Sequence, residues 1–397
     1  MNPKNAAASR ADALLSEEEQ GRNAALLTDY DYDQYPEWIT GYTGMNLQEI
    51  SISQHLRAVR TRIGPRGNYK SGLTALSDGT LIASPCRATA EPGKMQIHIY
   101  QSKDHGLTWK EIGEEVPLGK EPTLCYLPDG TLLMTAQQLG DAHEDKARLP
   151  ISRSTDGGRH WTTVHVDTPD LPRNLMVEPD GSVLIVHAQG PAYYRAAFES
   201  AGKPFEPSPH LELLRSTDGG CTWQPSPGLI DWDHTDFGEV SCVRLPSGAL
   251  LASLRGNPPG TLHEGFELTW LTESTDNGKT WCTPWVMSNT AEVHVHLLVL
   301  PDGRLLATYS NYHLPYGAFA VVSSDHGRTW TYDQPIQLAL SADLYVGWPF
   351  SMPLEDGSLL TVYAITSYLS QPPDRTTCEV VRWNLPDCFR GPENGEW

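Results

Sequence analysis

The fold class this 397-residue chain predicts is all-β: a six-bladed β-propeller with a short N-terminal extension. Two interleaved repeats and a turn-rich composition predict it. The first repeat is an octapeptide with the frame Ser-x-Asp-x-Gly-x-(Thr)-Trp. It occurs as SKDHGLTW (102–109), STDGGRHW (154–161), STDGGCTW (216–223), STDNGKTW (274–281) and SSDHGRTW (323–330). Its aspartates are spaced by 52, 62, 58 and 49 residues, a period that marks a repeat architecture. Each position suits a turn: Asp accepts from backbone N–H groups, Gly takes a positive φ, and Trp folds back as an apolar plug.

The second repeat is an apolar run, a Pro-Asp-Gly-type turn and another apolar run. Its copies are TALSDGTLIAS, YLPDGTLLMTA, VEPDGSVLIVH, RLPSGALLASL, VLPDGRLLATY and PLEDGSLLTVY, with turn glycines at 79, 130, 181, 248, 303 and 357. Two strands around such a turn are a hairpin. Six hairpins, five of them followed by a third strand that runs into the octapeptide, are six blades. The last blade ends instead in TTCEVVRW, and a strand-like EISISQHLRAVR (49–60) stands ahead of the first. That N-terminal strand is expected beside the sixth blade, closing the ring. The domain reading is an extension over residues 1–50 and a propeller over 51–397.

Composition sets outer limits. The net charge of −20 argues against a nucleic-acid partner, which requires clustered Lys and Arg, and against an anionic membrane. No apolar run reaches the length of a membrane span. The seven cysteines are odd in number and fall mostly in apolar runs, as small buried hydrophobes rather than a disulfide framework. The first residues hold no apolar signal region, and the expected location is cytoplasmic. No cofactor is indicated.

Blade register locates candidate chemistry. Strand side chains alternate, so equal offsets from the turn glycine compare equivalent positions. Nine residues before each glycine stand Lys70, Glu121, Pro172 (beside Arg173), Glu239, His294 and Trp348. Just after the second strands come Arg87, Gln137 with Gln138, His187, Arg255 with Asn257, Tyr309 with His313, and Tyr363. Lys, Arg, Glu, His and aromatic residues ringing a channel are the chemistry a sugar site requires, and a carbohydrate is the expected partner. Glu239, Glu121 and His294 are the catalytic candidates. Lys70, Arg87, Arg255, His187, His296, Trp348 and Gln137 are candidate substrate contacts, with Trp348 as a platform for a sugar ring. His294 and His296, at i and i+2, are expected on one face. That spacing suits a metal, yet no acidic ligand stands beside the pair and no metal is assigned.

The octapeptide is the Asp-box. Combined with Pro-Asp-Gly hairpins, it resembles the sialidase (neuraminidase) superfamily of six-bladed propellers over residues 55–385. Within EVSCVRLPSGALLASLRGN the resemblance places Glu239 on the glutamate that partners the family's nucleophilic Tyr, and Arg255 on one arginine of its carboxylate-binding triad. Arg87 resembles the arginine that ends the first hairpin. The family's first arginine falls on Lys70, its nucleophilic Tyr on Trp348 or Phe350, and its acid/base Asp finds only Glu91. These departures point away from an ordinary Tyr-nucleophile sialidase. The expected activity is glycoside hydrolysis of a polar or anionic sugar by Glu239 and Glu121. Their separation distinguishes a retaining pair, about 5–5.5 Å apart, from an inverting one, about 6.5–9.5 Å apart. The alternatives are a lyase acting beside a uronate, with His294, His187 or a Tyr as base, and a non-catalytic glycan-binding propeller.

Overall fold

A computed structural model describes residues 39–40, 57–90, 95–114, 116, 119–137, 149–166, 175–188, 210–232, 237–256, 267–289, 291–366 and 376–386. It contains six sheets, one for each hairpin read from the sequence, antiparallel except where Thr280–Trp281 adds a parallel edge beside Leu229 and Ile230 of the third. The inner strands are Tyr69–Ala75, Lys120–Tyr126, Met176–Val177, Phe237–Arg244, Glu292–Val299 and Gly347–Pro353. Each pairs with the strand after its turn: Leu81–Ala88, Leu132–Gln137, Val183–Ala188, Leu250–Gly256, Leu305–Asn311 and Leu359–Thr366. Third strands follow, and those at His210–Ser216, Leu268–Ser274 and Gly317–Ser323 end on the serine that opens an Asp-box. The second strands are almost wholly buried because both of their faces meet a neighbouring blade, which explains their near-continuous apolar runs.

The N-terminal strand closes the ring. Arg57–Arg62 pairs antiparallel with Thr376–Trp383, with Val59 opposite Arg382, and so supplies the sixth sheet's fourth strand. Ile39–Thr40 pairs with Arg57 and Ala58 and adds a fifth.

The Asp-boxes sit on the seams between blades. In the third blade Ser216 Oγ accepts from Gly220 N (2.8 Å), Asp218 accepts from Thr222 N (2.9 Å), and Trp223 Nε1 donates to Gly220 O (3.2 Å). The folded turn presses its glycine onto the preceding blade. A Cβ at Gly220 would lie 2.7 Å from Leu133 Cδ2, so the close approach as well as the φ of +82° demands glycine there. Gly106, Gly158, Gly278 and Gly327 likewise face Leu360, Ile99, Leu213 and Leu271 of the blade before theirs. The seam between blades five and six has no box. Trp383 fills it, 1% exposed among Leu306, Ala320, Val322 and Ile336, with its Nε1 donating to Thr361 Oγ1 (2.9 Å).

Candidate active site at the centre of the ring

Five of the six positions nine residues before the turn glycines share an unusual backbone. Lys70, Glu121, Glu239, His294 and Trp348 have φ of 31°, 58°, 51°, 57° and 46°. The sixth, Pro172, lies outside the described residues, as do Arg173, Gln138, Asn257, Glu91 and the loop residues Asp233, His234 and Asp236. At each of the five the pairing with the second strand slips, between Tyr69 and Ser71, Lys120 and Thr123, Gly238 and Ser241, Val293 and His296, and Gly347 and Phe350. These are β-bulges, which re-aim one side chain out of the alternation. A left-handed non-glycine residue costs energy, and such strain collects where a site over-determines it.

The five re-aimed side chains converge. Lys70 Nζ donates to Glu121 Oε1 (2.7 Å) and stands 4.3 Å from the centre of the Trp348 ring. The His294 and Trp348 rings are 5.9 Å apart. Arg255 Nη1 donates to both Glu239 oxygens (3.0 and 3.2 Å), and its Nη2 donates to Glu267 Oε1 (3.2 Å). Arg255 Nη1 also lies 2.8 Å from His294 Nε2, which is 3.2 Å from Glu239 Oε2. Nδ1 faces Ser310 Oγ (3.3 Å) and Tyr312 Oη (3.2 Å).

Two tyrosines complete the cluster. Burial, then the negative charges of Glu121 and Glu239, push the Tyr69 phenol well up. Burial also pushes Tyr312 up, against the opposing pull of Arg255 and Lys70. Both phenols are therefore held in the neutral form. Offsets from the turn glycines did not reveal Tyr69, Tyr312 or Glu267. Tyr69 is one residue from the compared position, Tyr312 follows its strand, and Glu267 precedes a third strand. Comparing the starts of third strands would have singled out Glu267.

Other expected contacts go elsewhere. His294 and His296 do not share a face: the bulge between them breaks the alternation. His296 stacks on Phe350, with ring centres 4.0 Å apart, and accepts from Ser351 N (3.3 Å). Trp348 is 3% exposed with Lys70 over its ring, so it holds a cation rather than offering an open platform. His187 is fully buried within the third blade, its Nε2 2.8 Å from Glu212 Oε2. Arg87 donates to Asn68 Oδ1 (3.3 Å) and lies 3.1 Å from His98 Nε2, in a network that continues to Glu111. Gln137 ends its strand opposite Lys120. Tyr309 packs in the core against Phe319, Tyr363 donates to the buried Glu379 (3.2 Å), and His313 lies 3.6 Å from Glu292.

Comparison with known proteins agrees with this architecture. Residues 56–241 match the model of a BNR repeat-like domain. A sialidase of Paraclostridium sordellii is 24% identical over 302 residues, 68% of this chain and 69% of that protein. A xyloglucanase of a Paenibacillus species is 26% identical over 204 residues, 47% of this chain and only 18% of its own length. Among solved structures, an α-L-arabinofuranosidase of Fusarium graminearum bound to an iminosugar inhibitor superposes with a TM-score of 0.59. It is 16% identical, over 81% of this chain and 97% of that one. With five Asp-boxes, six four-stranded or larger sheets and these likenesses together, the chain is a six-bladed β-propeller that carries a BNR repeat-like stretch and resembles the sialidase-like superfamily.

Proposed function

We propose that this propeller is a glycoside hydrolase that uses Glu239 and Glu121 at the centre of the ring. One observation carries the reading: five strained inner-strand positions deliver two carboxylates, a lysine, a histidine and an aromatic ring to one place. Strain repeated in five blades is hard to account for by folding alone, because glycine would relieve it at each. The named activities of the relatives, a sialidase, a xyloglucanase and an arabinofuranosidase, support a carbohydrate substrate.

In this reading Glu239 is the carboxylate that faces the anomeric carbon. Both of its oxygens are held by Arg255, and fixed hydrogen bonds preorganise it before the substrate arrives. His294 positions that pair through Arg255 Nη1. Glu121, held on one oxygen by Lys70, serves the departing oxygen. The hydroxyls of Tyr69 and Tyr312 remain protonated and bind sugar hydroxyls.

The test is turnover of a panel of oligosaccharides and aryl glycosides by the wild type and by Glu239→Gln and Glu121→Gln. Each substitution is expected to lower kcat by about 10²–10⁴-fold, with circular dichroism and thermal unfolding little changed. Full activity in Glu239→Gln would remove it from the mechanism. The anomer formed first, read by proton NMR, reports retention or inversion.

A further inference from the structure

The cations of this site are already committed to the protein's own acceptors. Arg255 donates to Glu239 and Glu267, and Lys70 donates to Glu121. Arg87 is tied to Asn68 and His98. A substrate carboxylate would have to displace Glu239, Glu267 or Glu121 from its cation. Glu121 and Glu239 are each 8% exposed and Glu267 is 9% exposed. Stripping such a carboxylate of its partner leaves a buried charge uncompensated, which is among the costliest changes a protein interior can suffer.

The balance of charge points the same way. Among the described residues, the three carboxylates Glu121, Glu239 and Glu267 stand with three cations, Lys70, Arg255 and Lys120, whose Nζ is 3.9 Å from Glu121 Oε1, within a chain of net charge −20. The cations do not outnumber the carboxylates, so an anionic ligand meets no positive surplus there. The Tyr312 hydroxyl, 3.2 Å from His294 Nδ1 and donating to Val346 O (3.4 Å), is a neutral group whose oxygen can accept from the hydroxyl of an uncharged sugar.

We infer that the site takes an uncharged glycan and discriminates against sialic and uronic acids. This rests on the reading of the cluster as a glycosidase centre. It narrows the polar or anionic sugar expected from sequence to a neutral one, and it disfavours the uronate-lyase alternative.

The experiment offers the full chain matched pairs of oligosaccharides of the same linkage, neutral and carboxylated (glucan and glucuronan, galactan and galacturonan), together with sialyllactose and lactose. Binding is followed by ligand-observed NMR and cleavage by chromatography. Binding is expected for neutral members, with carboxylated partners weaker on the order of a hundredfold. Glu267→Gln, which releases one side of Arg255, should narrow that gap about tenfold by strengthening the carboxylated member. The wild-type comparison stands without that variant if the variant fails to fold. A carboxylated glycan bound or cleaved as well as its neutral partner overturns the inference and leaves glycoside hydrolysis intact. Neutral binding without cleavage supports the inference and removes the hydrolase reading. Failure to bind any glycan removes both.

Discussion

Gly347 leaves no room for anything larger beside Lys70: a Cβ added there would lie 2.7 Å from Lys70 Cγ and 3.3 Å from its Cε. The glycine opens the path by which the lysine stem crosses from the first blade to the Trp348 ring and Glu121. Gly347→Ala is therefore expected to push Lys70 out of its ion pair and to cost about 1–3 kcal/mol in chemical denaturation. The same substitution in a Lys70→Ala background should cost clearly less. Additive effects in that double-mutant cycle would refute the steric coupling.

The left-handed backbone at Glu239 has a thermodynamic signature of its own. Replacing Glu239 by Ala and by Gly removes the same carboxylate, but only glycine is at ease at φ 51°. The Gly variant should be the more stable by about 1 kcal/mol in urea titrations, the reverse of their usual order in a strand. Both should be inactive.

Acid should loosen the propeller through its Asp-boxes. Hydrogen bonds donated by the Thr222 hydroxyl and then its backbone N–H hold Asp218 down at about 2 from an ordinary 3.8. Asp276 is held at about 2 in the same way by Thr280. A carboxylate depressed in the folded state contributes stability above its unfolded pKa and loses it as pH falls through the folded one. Unfolding free energy is thus expected to drop between about pH 4 and pH 2. Asp218→Asn, which no longer titrates, should flatten that fall when stability is measured against pH.

Glu379 runs the opposite way. Burial raises its pKa, against the pull of Arg60 and the hydroxyls of Tyr363 and Thr377. A carboxyl raised in the folded state opposes folding as pH climbs past its unfolded value of 4.5. The stability of Glu379→Gln relative to wild type should therefore improve from about pH 4.5 upward, read from denaturation midpoints at several pH values.

Trp383 seals the one seam without an Asp-box. Trp383→Ala is expected to cost about 3–5 kcal/mol, more than the loss of a half-buried box tryptophan such as Trp223. Paired denaturation curves of the two variants check the ranking.

Repeats made the architecture legible. The six turn glycines set the blade register, and that register led directly to the five left-handed positions, because a bulge recurs at the same place in five of the inner strands. The bulges themselves were not legible. Alternation predicts His294 and His296 on one face, and only the extra residue in the ladder sends one to Arg255 and the other to Phe350. Pairing across blades was hidden for a related reason. Nothing near Arg255 in the chain announces that Glu267 and His294 will share its guanidinium, and nothing near Trp348 announces Lys70. Arg87 and His187 have the right residue types at the right offsets. Local acceptors, Asn68 with His98 and Glu212, hold them inside their own blades.

The pairing of Val59 with Arg382 gives the site a timetable. The strand that closes the ring is made early and must wait for all six hairpins before its partner emerges from the ribosome. Trp348 belongs to that last blade, and Lys70 to the first, so the lysine meets its aromatic seat only when the circle shuts. A chain halted before Thr376 would carry every Asp-box, Glu121 and Glu239, yet its first and sixth blades would lack the strand that joins them. Closure of the ring, and with it the assembly of the central cluster, is thereby tied to the synthesis of Thr376–Trp383.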